Sequence, residues 1–117
     1  MKIIEKPWGE EVILETNENY TVKRLTMNNG HRCSLQYHEK KKETIYVISG
    51  VLTIIKNNRN DNYPENSFTT IAPKVIHRME ARNGDVTYLE CSTSQLDDVI
   101  RVEDDYFRGE KFKDFKK

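Results

Sequence analysis

The sequence has no net charge and few apolar residues. Its 19 Lys and Arg residues balance 19 Asp and Glu residues, and hydrophobic residues make up only 36% of the chain. A balanced charge disfavours binding to nucleic acid or an anionic membrane through bulk positive charge, so we expect neither partner. No run approaches the ~18 apolar residues of a membrane span, and the N-terminus lacks a signal peptide, so we expect a cytoplasmic protein.

Cysteine is also scarce, and the chain is short. Cys33 and Cys91 are the only two cysteines, and they lie too far apart in sequence to form a zinc ribbon or a redox pair. A chain of 117 residues has room for one domain, which excludes a nucleotide-binding domain beside a separate catalytic one. We expect a single domain over residues 1–108 and a charged C-terminal tail over 109–117.

Helical periodicity is scarce too, and short runs rich in β-branched and aromatic residues recur instead. Asn, Gly, Pro or charge clusters separate these runs, which indicates eight or nine strands in an all-β sandwich or barrel. Asn29-Gly30 and Asn83-Gly84 are dipeptides typical of tight turns between antiparallel strands. The polar segment Asn57–Asn66 is predicted to be a long exposed loop.

Two side chains with metal-binding chemistry share one face of a predicted strand. In the run from Cys33 to His38, alternation places Gln36 and His38 on one face and Cys33 on the other. After a basic turn at residues 39–42, Glu43 opens a strongly apolar run. A carboxylate at the start of a buried strand requires a partner, and a metal ion is one candidate.

A further histidine with metal-binding chemistry lies in a second apolar region. His77 follows Val75 and Ile76, and it would approach the first group if the two strand pairs face each other across a barrel. Two imidazoles, a carboxylate and an amide oxygen suit Zn, Fe(II), Mn, Ni or Co, whereas closed structural zinc sites usually contain thiolates. Such an open site would act as a Lewis acid on a carbonyl or a hydroxyl.

Several segments resemble one family of cupin proteins. Gly30 to Gly50 carries the pattern G…Q-x-H-x4-E-x6-G of the first cupin motif, and Pro73 to His77 is similar to a reduced second motif. The similarity is closer to the C-terminal cupin domain of type II mannose-6-phosphate isomerases, found in bifunctional mannose-1-phosphate guanylyltransferase/mannose-6-phosphate isomerase enzymes. The segments that carry it are KPWG at 6–9, TVKRL at 21–25, SLQYH at 34–38, HRME at 77–80 and VIRVEDDYFR at 99–108.

This resemblance implies a cupin barrel, which is a jelly-roll-like double-stranded β-helix, and it implies site residues. The family's metal ligands fall on the four residues reached above: Gln36, His38, Glu43 and His77. Arg101 matches an arginine that the family uses at its active site. Lys23, on a strand running toward the barrel mouth, is expected to help hold a phosphate.

The resemblance also implies an activity. We expect a stand-alone, metal-dependent isomerase that interconverts mannose 6-phosphate and fructose 6-phosphate through an enediol, with a sugar or sugar phosphate as substrate. Zinc is the first choice of metal, with Mn, Co, Fe or Ni as alternatives, and no organic cofactor is expected. We also expect a homodimer, because cupin barrels commonly pair through edge strands and the low apolar content fits a second chain over one sheet.

The sequence departs from the family at three places near the expected site. The P-x-G before the second histidine becomes Ala72-Pro73-Lys74-Val75. The family's His and Trp after the glutamate are replaced at Thr44 and Ile45, and the loop from Ser92 to Ile100 is shortened. One alternative therefore stays open, a non-catalytic cupin that binds a sugar or nucleotide-sugar in polysaccharide biosynthesis. A less favoured alternative is an Fe(II) dioxygenase, because the same barrel and similar ligands support oxygen chemistry.

Overall fold

The computed structural model describes residues 2–95 and 97–105, and within them the chain forms eleven β-strands. This confirms the all-β expectation, but the expected number of eight or nine strands is too low. The strands are β1 (Lys2–Lys6), β2 (Gly9–Thr16), β3 (Thr21–Met27), β4 (Leu35–Tyr37), β5 (Glu43–Ser49), β6 (Leu52–Lys56), β7 (Arg59–Tyr63), β8 (Phe68–Ile71), β9 (His77–Glu80), β10 (Val86–Ser92) and β11 (Ile100–Glu103). In these ranges no helix has the length and apolar character needed to cross a membrane. The tail expected over 109–117 lies outside the described residues.

Two antiparallel sheets form the barrel. The six-stranded sheet has the order β1-β2-β3-β10-β5-β8, and the five-stranded sheet has the order β11-β4-β9-β6-β7. Strands that are distant in sequence are neighbours in both sheets, for example β3 beside β10 and β4 beside β9. This exchange of strands between the first and second halves of the chain brings the two histidine-bearing segments together.

The core lies between the two sheets. Both sheets contribute fully buried apolar side chains, including Met27, Val47 and Val86 from the six-stranded sheet and Leu52 and Ile54 from the other. Burial alternates along β3, β5 and β10, as expected for strands with one face on a core and one face outward.

The inner face of the six-stranded sheet differs from one end to the other. Met27, Val47 and Val86 make one end apolar. At the opposite end of the same three strands, β3, β5 and β10 carry Lys23, Glu43 and Glu90, and all of these side chains are buried. We call this second part the charged end. Buried charges require partners, and the candidate site is built there.

The prediction of a loop over Asn57–Asn66 is wrong. Residues 52–63 form a hairpin in which β6 pairs with β7, and Asn57 and Asn58 turn the chain with φ angles of 54° and 63°. Asn adopts this left-handed conformation more easily than most residues, so an Asn-Asn pair makes a tight hairpin turn. Polarity misled the prediction because β7 is a partly exposed edge strand without an apolar pattern.

The two Asn-Gly dipeptides do form turns, but they join the two sheets instead of forming hairpins. Asn29-Gly30 leads from β3 to β4, and Asn83-Gly84 leads from β9 to β10. The turns also bind each other, since the Gly84 amide donates to Asn29 Oδ1 at 2.9 Å and the Asn29 amide donates to Asp85 Oδ1 at 2.8 Å. These bonds hold the sheets together at the apolar end.

Candidate metal centre

Three buried side chains meet at the charged end. Nε2 of His38 lies 3.2 Å from Oε1 of Glu43, and Nε2 of His77 lies 3.1 Å from the same oxygen. The three candidate ligand atoms all lie within 4.8 Å of one another. His38 follows β4, Glu43 opens β5 and His77 opens β9, so both sheets contribute to the cluster.

Backbone carbonyls orient both imidazoles. Nδ1 of His38 lies 2.5 Å from the Asp98 carbonyl oxygen, and Nδ1 of His77 lies 2.9 Å from that of Val75. A carbonyl only accepts hydrogen bonds, so each Nδ1 carries a proton, and Nε2 of each ring faces Glu43. A hydrogen bond on the other ring nitrogen is the usual arrangement for histidine that ligates a metal.

The donor set fits a divalent cation. Nε2 of His77 is buried and makes no hydrogen bond, because the approach of Glu43 lacks hydrogen-bond geometry. Burial alone would raise the pKa of Glu43, but the contacts with His38 and His77 and the charge of Lys41 hold it well below its usual range, so the carboxylate is charged. Two imidazole nitrogens and a carboxylate converging in a buried space suit zinc or another divalent transition metal.

Gln36 lies beside the cluster. It pairs with His77 in the β4–β9 register, and its side chain lines the adjoining cavity. Its Oε1 accepts a hydrogen bond from the Ser34 hydroxyl at 2.6 Å. Its role as a fourth ligand therefore stays a prediction.

The expected strand alternation breaks just before Gln36. β4 begins only at Leu35, and Cys33, predicted to point away, lines the same cavity as Gln36 and His38. The Cys33 amide donates to the Met79 carbonyl at 3.1 Å, and the Met79 amide donates back to Cys33 Sγ at 3.3 Å. This sulfur contact holds the Cys33 side chain toward the cavity. The regular alternation of side chains therefore starts only at β4, after Cys33.

A cavity of about 350 Å3 adjoins the cluster. Both expected substrate-binding residues, Lys23 and Arg101, line it together with His38 and Gln36. The ammonium of Lys23 lies 3.4 Å from Oε2 of Glu11. The cavity is thus polar at the metal centre and basic on the side of β3 and β11.

The sequence does not indicate that Lys41 is a buried cation of this site. Lys41 belongs to the basic turn expected at residues 39–42, yet it is only 5% exposed, while Lys40 and Lys42 on either side are exposed. Its ammonium lies 3.0 Å from Glu90 Oε2 and 3.8 Å from Glu43 Oε2. Burial alone would lower the pKa of Lys41, but these two carboxylates raise it above its usual value. Three consecutive lysines give no periodic signal that would distinguish the middle one.

Glu90 is the second buried group that the sequence did not indicate. It lies opposite Lys23 in the β3–β10 register and faces the cavity. Burial and the nearby charge of Glu43 raise the pKa of Glu90, while Lys41 and Lys23 oppose the rise. Together with Lys41 it surrounds the side of Glu43 that points away from the histidines.

Asp98 organises the turn that carries Lys41. Its carboxylate accepts backbone amide protons from Glu39 at 3.0 Å, Lys40 at 2.8 Å and Lys41 at 2.9 Å. Partial burial would raise the pKa of Asp98, but these three amides lower it. Nothing in the sequence near Asp98 indicates a contact with a turn so far away along the chain.

Comparison with known proteins gives a family. The family described as Mannose-6-phosphate isomerase C-terminal matches residues 2–108. Mannose-1-phosphate guanylyltransferase RfbM of Salmonella typhimurium is 31% identical over 104 residues, covering 84% of this chain and 21% of that protein. Xanthan biosynthesis protein XanB of Xanthomonas campestris pv. campestris is 33% identical over 109 residues, covering 88% of this chain and 23% of that protein.

Solved structures show the same fold. KdgF from Halomonas sp. superimposes with a TM-score of 0.75 at 12% identity, covering 83% of this chain and 89% of that one. The chain is therefore a cupin with the expected double-stranded β-helix fold. It spans about a fifth of the length of the curated relatives named above.

Proposed function

The chain belongs to the Mannose-6-phosphate isomerase C-terminal family, and from that membership we propose that it is a metal-dependent isomerase of hexose phosphates, with mannose 6-phosphate and fructose 6-phosphate as the pair interconverted. The observation that carries the proposal is the convergence of His38, Glu43 and His77 beside a polar cavity. A volume of about 350 Å3 lies in the range of small-molecule sites.

The residues that would hold the cation are His38, Glu43 and His77, with Gln36 as the fourth. Isomerisation moves a proton between C1 and C2 through an enediol, and the oxyanion that develops needs electrophilic stabilisation. A divalent cation supplies that stabilisation when it is bound. Zinc is the first choice, and Mn, Co, Fe or Ni would suit the same mixed nitrogen and oxygen donors.

The basic side of the cavity would hold the phosphate. Lys6 and Lys23 approach different oxygens of Glu11, at 3.9 Å and 3.4 Å, so these three side chains carry one formal positive charge between them. Arg101 lines the same cavity and adds a guanidinium, which suits phosphate through its planar pair of donors. We assign Arg101 and Lys23 to phosphate binding, which would place the sugar carbons toward the histidines.

A coupled assay on mannose 6-phosphate tests the proposal. The protein is stripped of metal, reloaded with Zn, Mn or Co, and assayed beside the stripped form. We expect turnover only in the reloaded samples, and a His77→Ala variant treated in the same way is the inactive control. Absence of turnover by protein shown to hold one metal per chain would exclude the isomerase.

One observation favours a second candidate, a cupin that binds a sugar without converting it. Lys23 and Lys41 both already have carboxylate partners in the cavity, namely Glu11 and Glu90. Alternating carboxylates and ammonium groups match the donors and acceptors of neutral sugar hydroxyls as well as they match a phosphate. Such a protein would act in polysaccharide biosynthesis by binding a sugar or a nucleotide-sugar.

Thermal shift distinguishes the two candidates. The metal-loaded protein is heated with mannose, mannose 6-phosphate or GDP-mannose, and each sample is also assayed for turnover. Stabilisation by mannose 6-phosphate together with turnover supports the isomerase. Stabilisation by mannose or GDP-mannose without turnover of any hexose phosphate supports the binding protein.

A further inference from the structure

The two oxygens of Glu43 have different surroundings. Oε1 lies 3.2 Å and 3.1 Å from the Nε2 atoms of His38 and His77. Oε2 lies 3.8 Å from the ammonium of Lys41. One oxygen thus faces the candidate metal position and the other faces a cation that belongs to the protein itself.

The position of Lys41 is fixed from two directions. Its ammonium lies 3.0 Å from Glu90 Oε2, and its backbone amide donates to Asp98 Oδ2 at 2.9 Å. It is buried, so solvent does not compete effectively for its charge. A lysine on a flexible surface turn would move away from an incoming cation, whereas Lys41 is held in place beside Glu43.

An ammonium group has three donors and no acceptor, so it attracts a carboxylate oxygen but cannot bind a metal through a lone pair. A carboxylate with both oxygens available can bind a cation through one oxygen or through both. When both bind, the coordination number of the cation rises, and Glu43 covers part of the surface that substrate or water would otherwise approach. Catalytic metal sites keep at least one position open.

We propose that Lys41, held by Glu90, occupies Oε2 of Glu43 and thereby restricts Glu43 to binding a divalent cation through Oε1 alone, which keeps a coordination position open for the ligand of the cavity. The inference rests on the metal centre of the proposed function and not on the isomerisation itself. Lys41 and Glu90 are positioning residues, and Glu90 acts through Lys41.

The two partners of this ion pair should have opposite effects on metal binding. Lys41→Met frees Oε2, so Glu43 binds through both oxygens, and the affinity for the metal stays equal or rises. Glu90→Gln removes the nearer carboxylate, so Lys41 turns to Glu43 and competes with the metal. We expect the affinity to fall about 10-fold, at the lower end of the effect of partners that hold metal ligands.

The experiment uses Co2+ on the full chain, because its visible absorption weakens as the coordination number rises. Affinity comes from competition with a chromophoric chelator, and coordination comes from the intensity of the visible bands. Lys41→Met should lower the band intensity, and Glu90→Gln should leave it unchanged while affinity falls. Lys40→Met and Lys42→Met, in exposed positions of the same turn, are controls that should match the original protein.

A double variant guards against misfolding. Lys41→Met alone leaves buried Glu90 without its ammonium partner, whereas Lys41→Met with Glu90→Gln removes both charges together. If Glu90 acts through Lys41, the double variant has the weak bands and the retained affinity of Lys41→Met. A 10-fold affinity loss in the double variant would overturn the proposal.

Other outcomes separate this inference from the isomerase. Unchanged Co2+ spectra in both Lys41→Met and the double variant would overturn the inference and leave the isomerase intact. Spectral changes as expected, in a protein that never turns over mannose 6-phosphate, would support the inference and exclude the isomerase. A starting protein that binds no Co2+ would overturn both.

Discussion

Asp98 connects to His38 and to the following turn at the same time. Its carbonyl oxygen lies 2.5 Å from Nδ1 of His38, and its carboxylate accepts the amides of residues 39–41. One residue between β10 and β11 therefore orients a candidate metal ligand and holds the turn that buries Lys41. The side chain and the backbone of Asp98 have separate tasks, and substitution can separate them.

Asp98→Asn should destabilise the protein in a pH-dependent way. The three amides lower the pKa of Asp98 in the folded state, so its carboxylate stabilises the fold above the unfolded pKa of about 3.9. That contribution is lost as the pH falls through the lower folded pKa. Urea unfolding should show a difference in unfolding free energy between original and variant at pH 6 that narrows as the pH falls below about 4. The control is Asp61→Asn, at a half-buried residue whose carboxylate pairs with the exposed Arg59. A gap at pH 3 as large as that at pH 6 would contradict the assignment.

Substituting a metal ligand should lower the metal affinity more than substituting a residue that only holds a ligand in position. His77→Ala deletes a candidate ligand atom, and we expect affinity for Zn to fall by more than the ~10–100-fold typical of supporting residues. Gln36→Ala should cost about 10-fold or more if its amide oxygen is the fourth ligand. Competition titration measures both, with Ser34→Ala as the comparison because the Ser34 hydroxyl donates to Gln36 Oε1. Equal affinity of Gln36→Ala and the original protein would remove Gln36 from the ligand set.

Arg101→Met should weaken phosphate binding without removing the metal. We expect KM for mannose 6-phosphate to rise about 10–100-fold, equivalent to about 1.4–2.8 kcal/mol of binding energy. Lys23→Met should act in the same direction but less strongly, because Glu11 already shares its charge. Steady-state kinetics with metal content measured in parallel checks this, and the exposed Arg59→Met change is the control. A fall in kcat alone, at constant KM, would assign Arg101 to the chemistry and not to the phosphate.

Gly9→Ala should unfold the start of the barrel. A Cβ atom at Gly9 would lie 1.9 Å from the Thr26 carbonyl oxygen, a backbone atom that cannot rotate away. We expect a loss of about 3 kcal/mol or more in unfolding free energy. Gly30→Ala is the matched comparison, since Gly30 has a φ of 86° but no atom within 4 Å of the added Cβ, and its cost should be about 1–2 kcal/mol. Equal costs by denaturant titration would show that backbone conformation, and not the clash, decides.

We expect a homodimer that covers the outer face of the six-stranded sheet. Phe68, Tyr46 and Leu89 are register neighbours across β8, β5 and β10 on that face, and Phe68 is 69% exposed. Contiguous exposed apolar side chains on a sheet commonly mark an interface. Light scattering at micromolar concentration should give twice the chain mass, and Phe68→Glu should give the single mass, with Thr70→Glu on the same strand as a milder change. A single mass for the original protein would contradict the expectation.

The parts of the site that the sequence predicts are those encoded in local patterns. His38, Glu43 and His77 each lie at the end or the start of a strand-like run. Pairing of β4 with β9 brings the two histidines together, and packing of the two sheets adds Glu43 from β5. The strand pattern is also local, which is why the all-β fold is predictable. Gly9 matches the family's opening motif, and glycine is required there because the backbone of β3 approaches too closely for a Cβ atom.

The parts that escape prediction depend on contacts between distant segments. The burial of Lys41 is set by Glu90 on β10 and by Asp98 after it. β1 and β7 are strands because a neighbouring strand supplies their hydrogen bonds, and their own residues have no clear alternation. Cys33 changes face because of its sulfur contact with Met79, which the sequence around it does not reveal.

The charged end of the six-stranded sheet makes the barrel less stable than a barrel with apolar side chains in the same positions would be. Replacing buried ion pairs with well-packed apolar residues often raises stability by about 1–4 kcal/mol. Selection in the laboratory for heat resistance alone should therefore favour apolar replacements at Lys23, Lys41 and Glu90, closing the cavity as leucine or methionine fills it. Such thermostable variants would no longer bind a ligand in the cavity. Metal content and ligand binding therefore have to be measured at every round of selection.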